Sequence, residues 1–334
     1  FHGKGLVYRG KRVLPYCGRC GTGLSSHELG QPGVYQDVMD PSVTVRFRLR
    51  ESAGGEPESF LAWTTTPWTL PSNFALAVHP NREYVRARVP IGGHAEGPHE
   101  IVWVVAERAQ AVLPKGAEIL DRRPGSALVG KSYEPIFSAD LPAVQTGWEP
   151  RGDDAVHRVF AAGFVTVEDG TGIVHQAPYG GDDWELAREN RLPVRAGVGS
   201  DGRFVKDVGP VRAGTFFKEA DAALMDDLKA RGLLFRKAHE SHSYPHCWRC
   251  STPLFYFPAP AWYIRTTALK ERMVALNRRI RWVPPEVGEK RFGEWLENNV
   301  DWNISRDRYW GTPLPFWVCD ACSEVHAIGS VAEL

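Results

Sequence analysis

Several things are scarce or missing in this sequence, and each absence narrows the field. Of 334 residues only three are methionine and six cysteine. No apolar run approaches the ~20 residues that cross a bilayer, and no signal-peptide pattern opens the chain, so no membrane partner is expected. Forty basic side chains meet forty acidic ones, so no global field favours nucleic acid over the whole surface. A protein that touches only the end of a nucleic acid needs no more than a local patch. Arg46, Arg48 and Arg50, with Arg82, Arg86 and Arg88, are two such clusters, although exposed strand faces carry the same pattern. The phosphate-cradling strings GxGxxG and GK[ST] are absent, as are repeats, heptads and low-complexity tracts. What remains is an ordinary globular composition, 43% apolar and 24% charged, in a chain long enough for two or three domains. It opens on Phe1 rather than Met and reads as a piece of a longer protein.

The cysteines leave no residue single. They fall into three CxxC pairs, Cys17/Cys20, Cys247/Cys250 and Cys319/Cys322, in the strings PYCGRCGT, PHCWRCST and WVCDACSE. One such turn aims two thiolates at a common centre, and tetrahedral zinc takes two turns. A disulfide framework suits a small secreted domain and a redox CxxC suits a βαβ setting, and neither fits three pairs here. The first two pairs match each other as C-x-R-C followed by a small residue, so Cys17, Cys20, Cys247 and Cys250 are read as one structural Zn2+ site. Everything between Cys20 and Cys247 is then an insertion clipped at its base by a metal. Cys319 and Cys322 form half of a further site that needs two more ligands. His239, His242 and His246 are either additional ligands or ordinary loop histidines.

Patterning suggests a β-rich, barrel-like body. In VTVRFRLR, Val43, Val45, Phe47 and Leu49 share one face of a half-buried strand that the alternation extends toward Phe60. GGEPE from Gly54 and IGGHAEGPHE around Gly92 to Glu100 read as hairpin loops, the second flanked by the strands YVRARVP and EIVWVVA. ERAQAVL reads as a short helix, and HRVFAAGFVTVEDGTGIVHQAP as strands with a turn at Asp169-Gly170. DDWELARENRLPV carries its acids in the first helical turn, where the dipole favours them, and FKEADAALMDDLKARG ends on Gly232 as helices often do.

Two strings carry chemistry. In LAWTTTPWTLPSN the β-branched threonines suit a strand, which Pro67 and Pro71 then stop, leaving a stiff turn with a new strand or helix from Phe74. Thr64, Thr65 and Thr66 between Trp63 and Trp68 line a polar pocket or simply pair across a bulge. In EDGTGIVHQAPYGGDDW, His175 ends a strand and Asp182 and Asp183 open a helix, where either acid alone would read as a cap. Taken together the strings offer hydroxyls, a carboxylate for an ammonium group, a bulky imidazole and flat indoles.

WTTTPWTLPSN and GTGIVHQAPYGGDD resemble the two signature strings of the editing domain of isoleucyl-tRNA synthetases, and SYPHCWRCSTPL and NISRDRYWGTPLPFW are similar to segments that follow in the same family. The resemblance covers nearly the whole chain. Thr66-Pro67-Trp68 favours the isoleucyl branch, because valyl and leucyl relatives carry Arg-Pro there. The ATP-binding HIGH and KMSKS signatures are absent, and RDRYWG replaces neither, so ATP belongs only to a full-length enzyme.

The resemblance implies hydrolysis of valine misattached to isoleucine tRNA, in a cytoplasmic, monomeric ligase. It assigns Asp183 to the substrate ammonium, with Asp182 as the fallback, because the family has one residue more before the paired acids. It further assigns Thr64, Thr65 and Thr66 to the ester and terminal ribose, and His175 to a wall that refuses isoleucine, with a general base as the rival role. Asn73 supports the site and Trp68 offers a face for the terminal adenine.

The expected architecture is mixed α/β. Residues 1–42 and 239–262 form the two halves of a zinc-ribbon stalk, 43–238 the barrel-like editing domain, and 263–334 a partial class I, Rossmann-type synthetic core. The competing readings are a non-catalytic zinc-containing tRNA-binding module and a free-standing editor, the latter opposed by the core-like segment from Trp262 to Trp317.

Overall fold

The computed structural model describes residues 1–51, 55–91, 97–138, 140–307, 313–322 and 324–334. The chain divides into two compact units, one of Val13–Pro258 and one of Phe1–Arg12 with Ala259–Leu334. Among the described residues no helix is long and apolar enough to cross a membrane.

The larger unit is built on a six-stranded sheet in the order Leu234–Pro245, Tyr35–Arg48, Glu58–Thr64, His99–Val105, Glu83–Pro90, Glu118–Pro124. All neighbours are antiparallel except Glu58–Thr64 with His99–Val105. The alternation around Val43 has its expected consequence. Val43, Val45 and Phe47 are fully buried, and Phe60 and Ala62 join them in a core shared with Met225 and Leu228 of the helix Phe217–Ala230. Strand alternation sends Leu61 to the opposite face, where it packs with Val85, Ala87, Val102 and Val104. That helix ends as Gly232 anticipates. Gly232 takes φ +67°, its N–H donates to Lys229 O, and Leu233 N–H donates to Leu228 O.

A second sheet of three strands places Ala75–Val78 between Ile173–Gln176, antiparallel, and Arg158–Ala161, parallel. Phe164–Val167, expected as strand, is turn and bend instead. The neighbouring strand ends at Val78 before His79-Pro80, so beyond Ala162 N–H, which reaches Val78 O, there is no ladder to join. The loop expected from Gly54 falls partly, and that from Gly92 mostly, outside the described residues; the strands flanking each pair antiparallel.

The boundaries expected at 42/43 and 238/239 coincide with no break, since Tyr35–Arg48 and Leu234–Pro245 pair without interruption across both. The two arginine clusters are largely spent inside the sheet. Arg46 pairs with Glu100, Arg86 with Glu58 and Arg88 with Glu56.

In the smaller unit, Tyr263 and Ile264 pair with Asn303 and Trp302, and the helices Lys270–Asn277 and Phe292–Glu297 lie together. Phe316–Val318 and Val325–Ala327 form a hairpin whose turn carries Cys319 and Cys322, both exposed. The described residues after 262, expected as part of a Rossmann-type core, carry short strands and two short α-helices. The RDRYWG string lies mostly outside the described residues.

Candidate active site and four-cysteine cluster

The strand Glu58–Thr64 ends where Pro67 removes a donor, and the chain turns into a 3-10 helix, Pro67–Ser72. With three residues per turn, Thr66 and Thr69 fall on one side of it. Their hydroxyls are 3.4 Å apart, and Thr66 Oγ1 is 3.0 Å from Thr64 Oγ1. Thr64 is the last residue of its strand, and Thr65 is not among the residues lining the cavity described below.

His175 reaches the same place from the second sheet. It is 8% exposed, with Nε2 2.8 Å from Thr69 Oγ1 and Nδ1 3.2 Å from Asn73 Nδ2. The tautomer follows from the partners. Asn73 Nδ2 has three acceptors in reach, the carbonyls of Ala75 and Gln176 and His175 Nδ1, and shares its two hydrogens among them, while its Oδ1 accepts from Tyr133 Oη at 2.7 Å, which fixes the amide. His175 Nδ1 therefore accepts, Nε2 carries the proton and donates to Thr69, and Thr69 donates to Thr66 O at 2.8 Å. Burial lowers the imidazole to about pKa 4, so it is neutral at pH 7. Both ring nitrogens are engaged.

These groups and Asp183 border one cavity of about 320 Å3, lined among others by Trp63, Thr64, Thr66, Trp68, Thr69, His175 and Asp183. Asp183 sits in the first turn of the helix Gly181–Glu189. Its one hydrogen bond among the described residues is from Ala177 N–H at 3.3 Å, a long one. Burial pushes its carboxyl up to about pKa 7, opposed by that N–H and reinforced by the Asp182 charge. The group borders the cavity, so solvent touches it even though protein surrounds it. Gly180 must lack a side chain, because a Cβ there would stand 2.7 Å from Asp183 Oδ2. Asp182 is exposed and lines no part of the cavity.

Trp68 lies in the cavity wall but is only 3% exposed, its ring packed 4.7 Å from both Tyr179 and Phe217. The stacking face expected of it is already covered by these neighbours. Asn73 stands behind His175 rather than on the cavity. Thr69 and Tyr133, not anticipated individually, complete the chain. Thr69 joins Thr66 through the three-residue period of the 3-10 helix, whereas no local pattern marks Tyr133.

The four-cysteine cluster is a separate feature of the same unit. The sulfurs of Cys17, Cys20, Cys247 and Cys250 all lie within 4.8 Å of one another, with Cys17–Cys250 and Cys20–Cys250 at 3.5 Å and Cys20–Cys247 at 4.0 Å. Four sulfurs at ~2.3 Å from a tetrahedral zinc stand about 3.8 Å apart, so the cluster could hold such an ion. The small residue after each pair has a backbone reason, since Gly21 takes φ +63° and Ser251 +55°. None of the three nearby histidines joins the cluster. His246 Nδ1 bonds Tyr244 O, His242 Nε2 bonds Asp40, and His239 is exposed.

The chain belongs to the class I tRNA synthetases: the family described as tRNA synthetases class I (I, L, M and V) matches residues 1–334. Within that class its relatives include isoleucine–tRNA ligases. It is 46% identical to that of Thermus thermophilus over 99% of this chain and 30% of the relative. It is 46% identical to the Thermobifida fusca ligase (99% and 29%) and 42% identical to that of Methanopyrus kandleri (100% and 31%). The chain thus spans about 30% of the length of these relatives. A solved editing domain of the P. knowlesi cytosolic leucyl-tRNA synthetase overlaps 64% of this chain and 99% of its own, with a TM-score of 0.44 at 9% identity, too distant to carry an argument.

Proposed function

We propose that this chain is the proofreading part of an isoleucine–tRNA ligase and hydrolyses the ester of valine misattached to isoleucine tRNA. One observation carries the reading. Two distant strings, resembling editing signatures, meet around one cavity lined by threonine hydroxyls and the Asp183 carboxylate. The chemical need is general. One methylene is worth only about 1–3 kcal/mol in a binding pocket, a limit for which this synthetase family is the standard illustration, so a hydrolytic second sieve is required.

In this reading Asp183 holds the α-ammonium of the aminoacyl ester through a charge-assisted bond. Thr64, Thr66 and Thr69 present hydroxyls to the ester and the terminal ribose. His175 serves as a wall. Its Nε2 donates to Thr69 and its Nδ1 lies 3.2 Å from the Asn73 amide, which supports a wall over a base. Water positioned by the hydroxyls and the neighbouring ribose hydroxyl is the nucleophile. Cys17, Cys20, Cys247 and Cys250 hold structural zinc at the base of the insertion, in a ribbon-like stalk beneath a barrel-like editing body. Cys319 and Cys322 are half of a second metal site. ATP-dependent charging belongs to the longer enzyme.

The test is release of valine from a valyl-minihelix by the purified chain, against an isoleucyl-minihelix control. Hydrolysis of the valyl ester alone is expected. Binding of the minihelix without release would identify a non-catalytic module instead.

A further inference from the structure

The 3-10 helix that carries Thr66 and Thr69 has no cap of its own: Thr66 precedes it, and no side chain of that segment accepts from its first N–H groups. Pro67 has no N–H to give, and Thr69 N–H closes on Thr66 O, so Trp68 N–H is the donor left over. It is taken by a residue 153 positions away. Asp221 Oδ1, on the helix Phe217–Ala230, accepts from Trp68 N–H at 2.9 Å. Asp221 is 6% exposed.

We propose that Asp221 is a positioning residue for the cavity. By capping the threonine turn from the helix beneath, it holds Thr66 and Thr69 at the spacing in which Thr69 meets His175. The inference rests on the proofreading reading for its functional consequence, but the cap itself does not. Burial pushes the Asp221 carboxyl up to about pKa 7, with the Lys218 ammonium pulling the other way and the Asp40 charge adding to the rise. The cap survives protonation because a neutral carboxyl still offers an acceptor oxygen. It follows that asparagine should serve in its place and alanine should not.

The experiment uses the full chain as wild type, Asp221→Asn and Asp221→Ala. It measures hydrogen exchange at the Trp68 amide and steady-state deacylation of the valyl-minihelix. The wild type and D221N should protect the Trp68 amide and agree in kcat within about threefold. D221A should lose that protection and at least tenfold in kcat, with KM within about threefold, since the turn is displaced while Asp183 remains to bind substrate. Wild-type kcat in D221A, or an unprotected Trp68 amide in the wild type, overturns the proposal. So does a D221N variant that loses protection and kcat, and this comparison stands even if D221A fails to fold. If no variant, wild type included, releases valine, the proofreading reading fails, while the exchange data still decide the cap.

Discussion

On one side of the cavity, Tyr133, Asn73, His175, Thr69 and Thr66 close a continuous hydrogen-bonded chain anchored in two sheets. On the other, the Asp183 carboxylate has a single long bond from Ala177 N–H, and burial holds its proton on up to about pH 7. The two sides are built for different tasks. A saturated network has little to offer a ligand except shape and the outward lone pairs of its hydroxyls, and it keeps that shape because each member restrains the next. An under-satisfied carboxylate is costly in the empty protein and regains the cost when a cation arrives. Removing the imidazole from the first side should therefore change which substrate is accepted, and removing the second should change whether any is.

The largest effect is expected at Asp183. Asp183→Ala deletes a charge-assisted bond to the ammonium worth about 1.5–3 kcal/mol, so kcat/KM for valyl-minihelix deacylation should fall about 10- to 100-fold. Asp182→Ala, at an exposed position, should stay within about twofold. The reverse pattern would transfer the role to Asp182 and undo the contrast between the two walls. Next is His175→Ala. If the imidazole is a wall, the variant gains hydrolysis of isoleucyl-minihelix by about tenfold, the value of admitting one methylene, and keeps valyl activity. Loss of valyl hydrolysis with no gain on isoleucyl would make His175 a base and merge the two walls into one catalytic unit.

The two sides also differ in how far the sequence revealed them. Val43, Val45 and Phe47 were readable because a period of two with one apolar face leaves a strand few other options. The stop at Pro67 and the helix opening at Asp182-Asp183 were readable for local reasons as well, a missing donor and a favourable dipole. Asp183 is thus legible as a residue, though only the geometry separates it from Asp182. The saturated wall was harder. Thr65 was grouped with Thr64 and Thr66, and no period separates it from them, because the strand ends at Thr64. Thr69 becomes a partner only once the turn is known to be a 3-10 helix with three residues per turn. Trp68 reads as a free aromatic face until Tyr179 and Phe217, from two other segments, are seen to cover it. Tyr133 and Asp221 touch the site through contacts that no periodicity encodes.

The pH profile separates the walls without mutation. Asp183 has its folded-state pKa raised from 3.8 to about 7, so the folded chain holds that proton more tightly than the unfolded one. Its contribution to stability is fully present below the unfolded value and is lost as pH rises through about 7. Ammonium binding runs the opposite way, because only the carboxylate attracts the cation. Deacylation kcat/KM should therefore climb as pH rises, up to tenfold per unit on the acid side, and turn over above about 7, where the substrate's own ammonium begins to lose its proton. His175, held near 4 by burial, contributes nothing over that range. In Asp183→Asn the limb should flatten, and a limb that persists there belongs to another group.

The smallest effect is expected at the far end of the saturated chain. Tyr133 is fully buried, and its hydroxyl does one thing here, donating to Asn73 Oδ1. Tyr133→Phe leaves that oxygen buried without its donor, which costs about 1–3 kcal/mol of folding stability, read as a lower thermal midpoint. The amide keeps its bonds to the Ala75 and Gln176 carbonyls, so it should stay oriented and His175 should keep its tautomer. The imidazole is then held by one restrained neighbour instead of a locked chain. Valyl deacylation should change less than threefold, and isoleucyl deacylation should rise by a few-fold, well short of the gain in His175→Ala. A Tyr133→Phe variant as permissive as His175→Ala would mean that the wall depends on the chain's anchoring more than on the imidazole's bulk. No change in selectivity would mean that packing around His175 alone holds the ring and the hydrogen-bonded chain serves stability only.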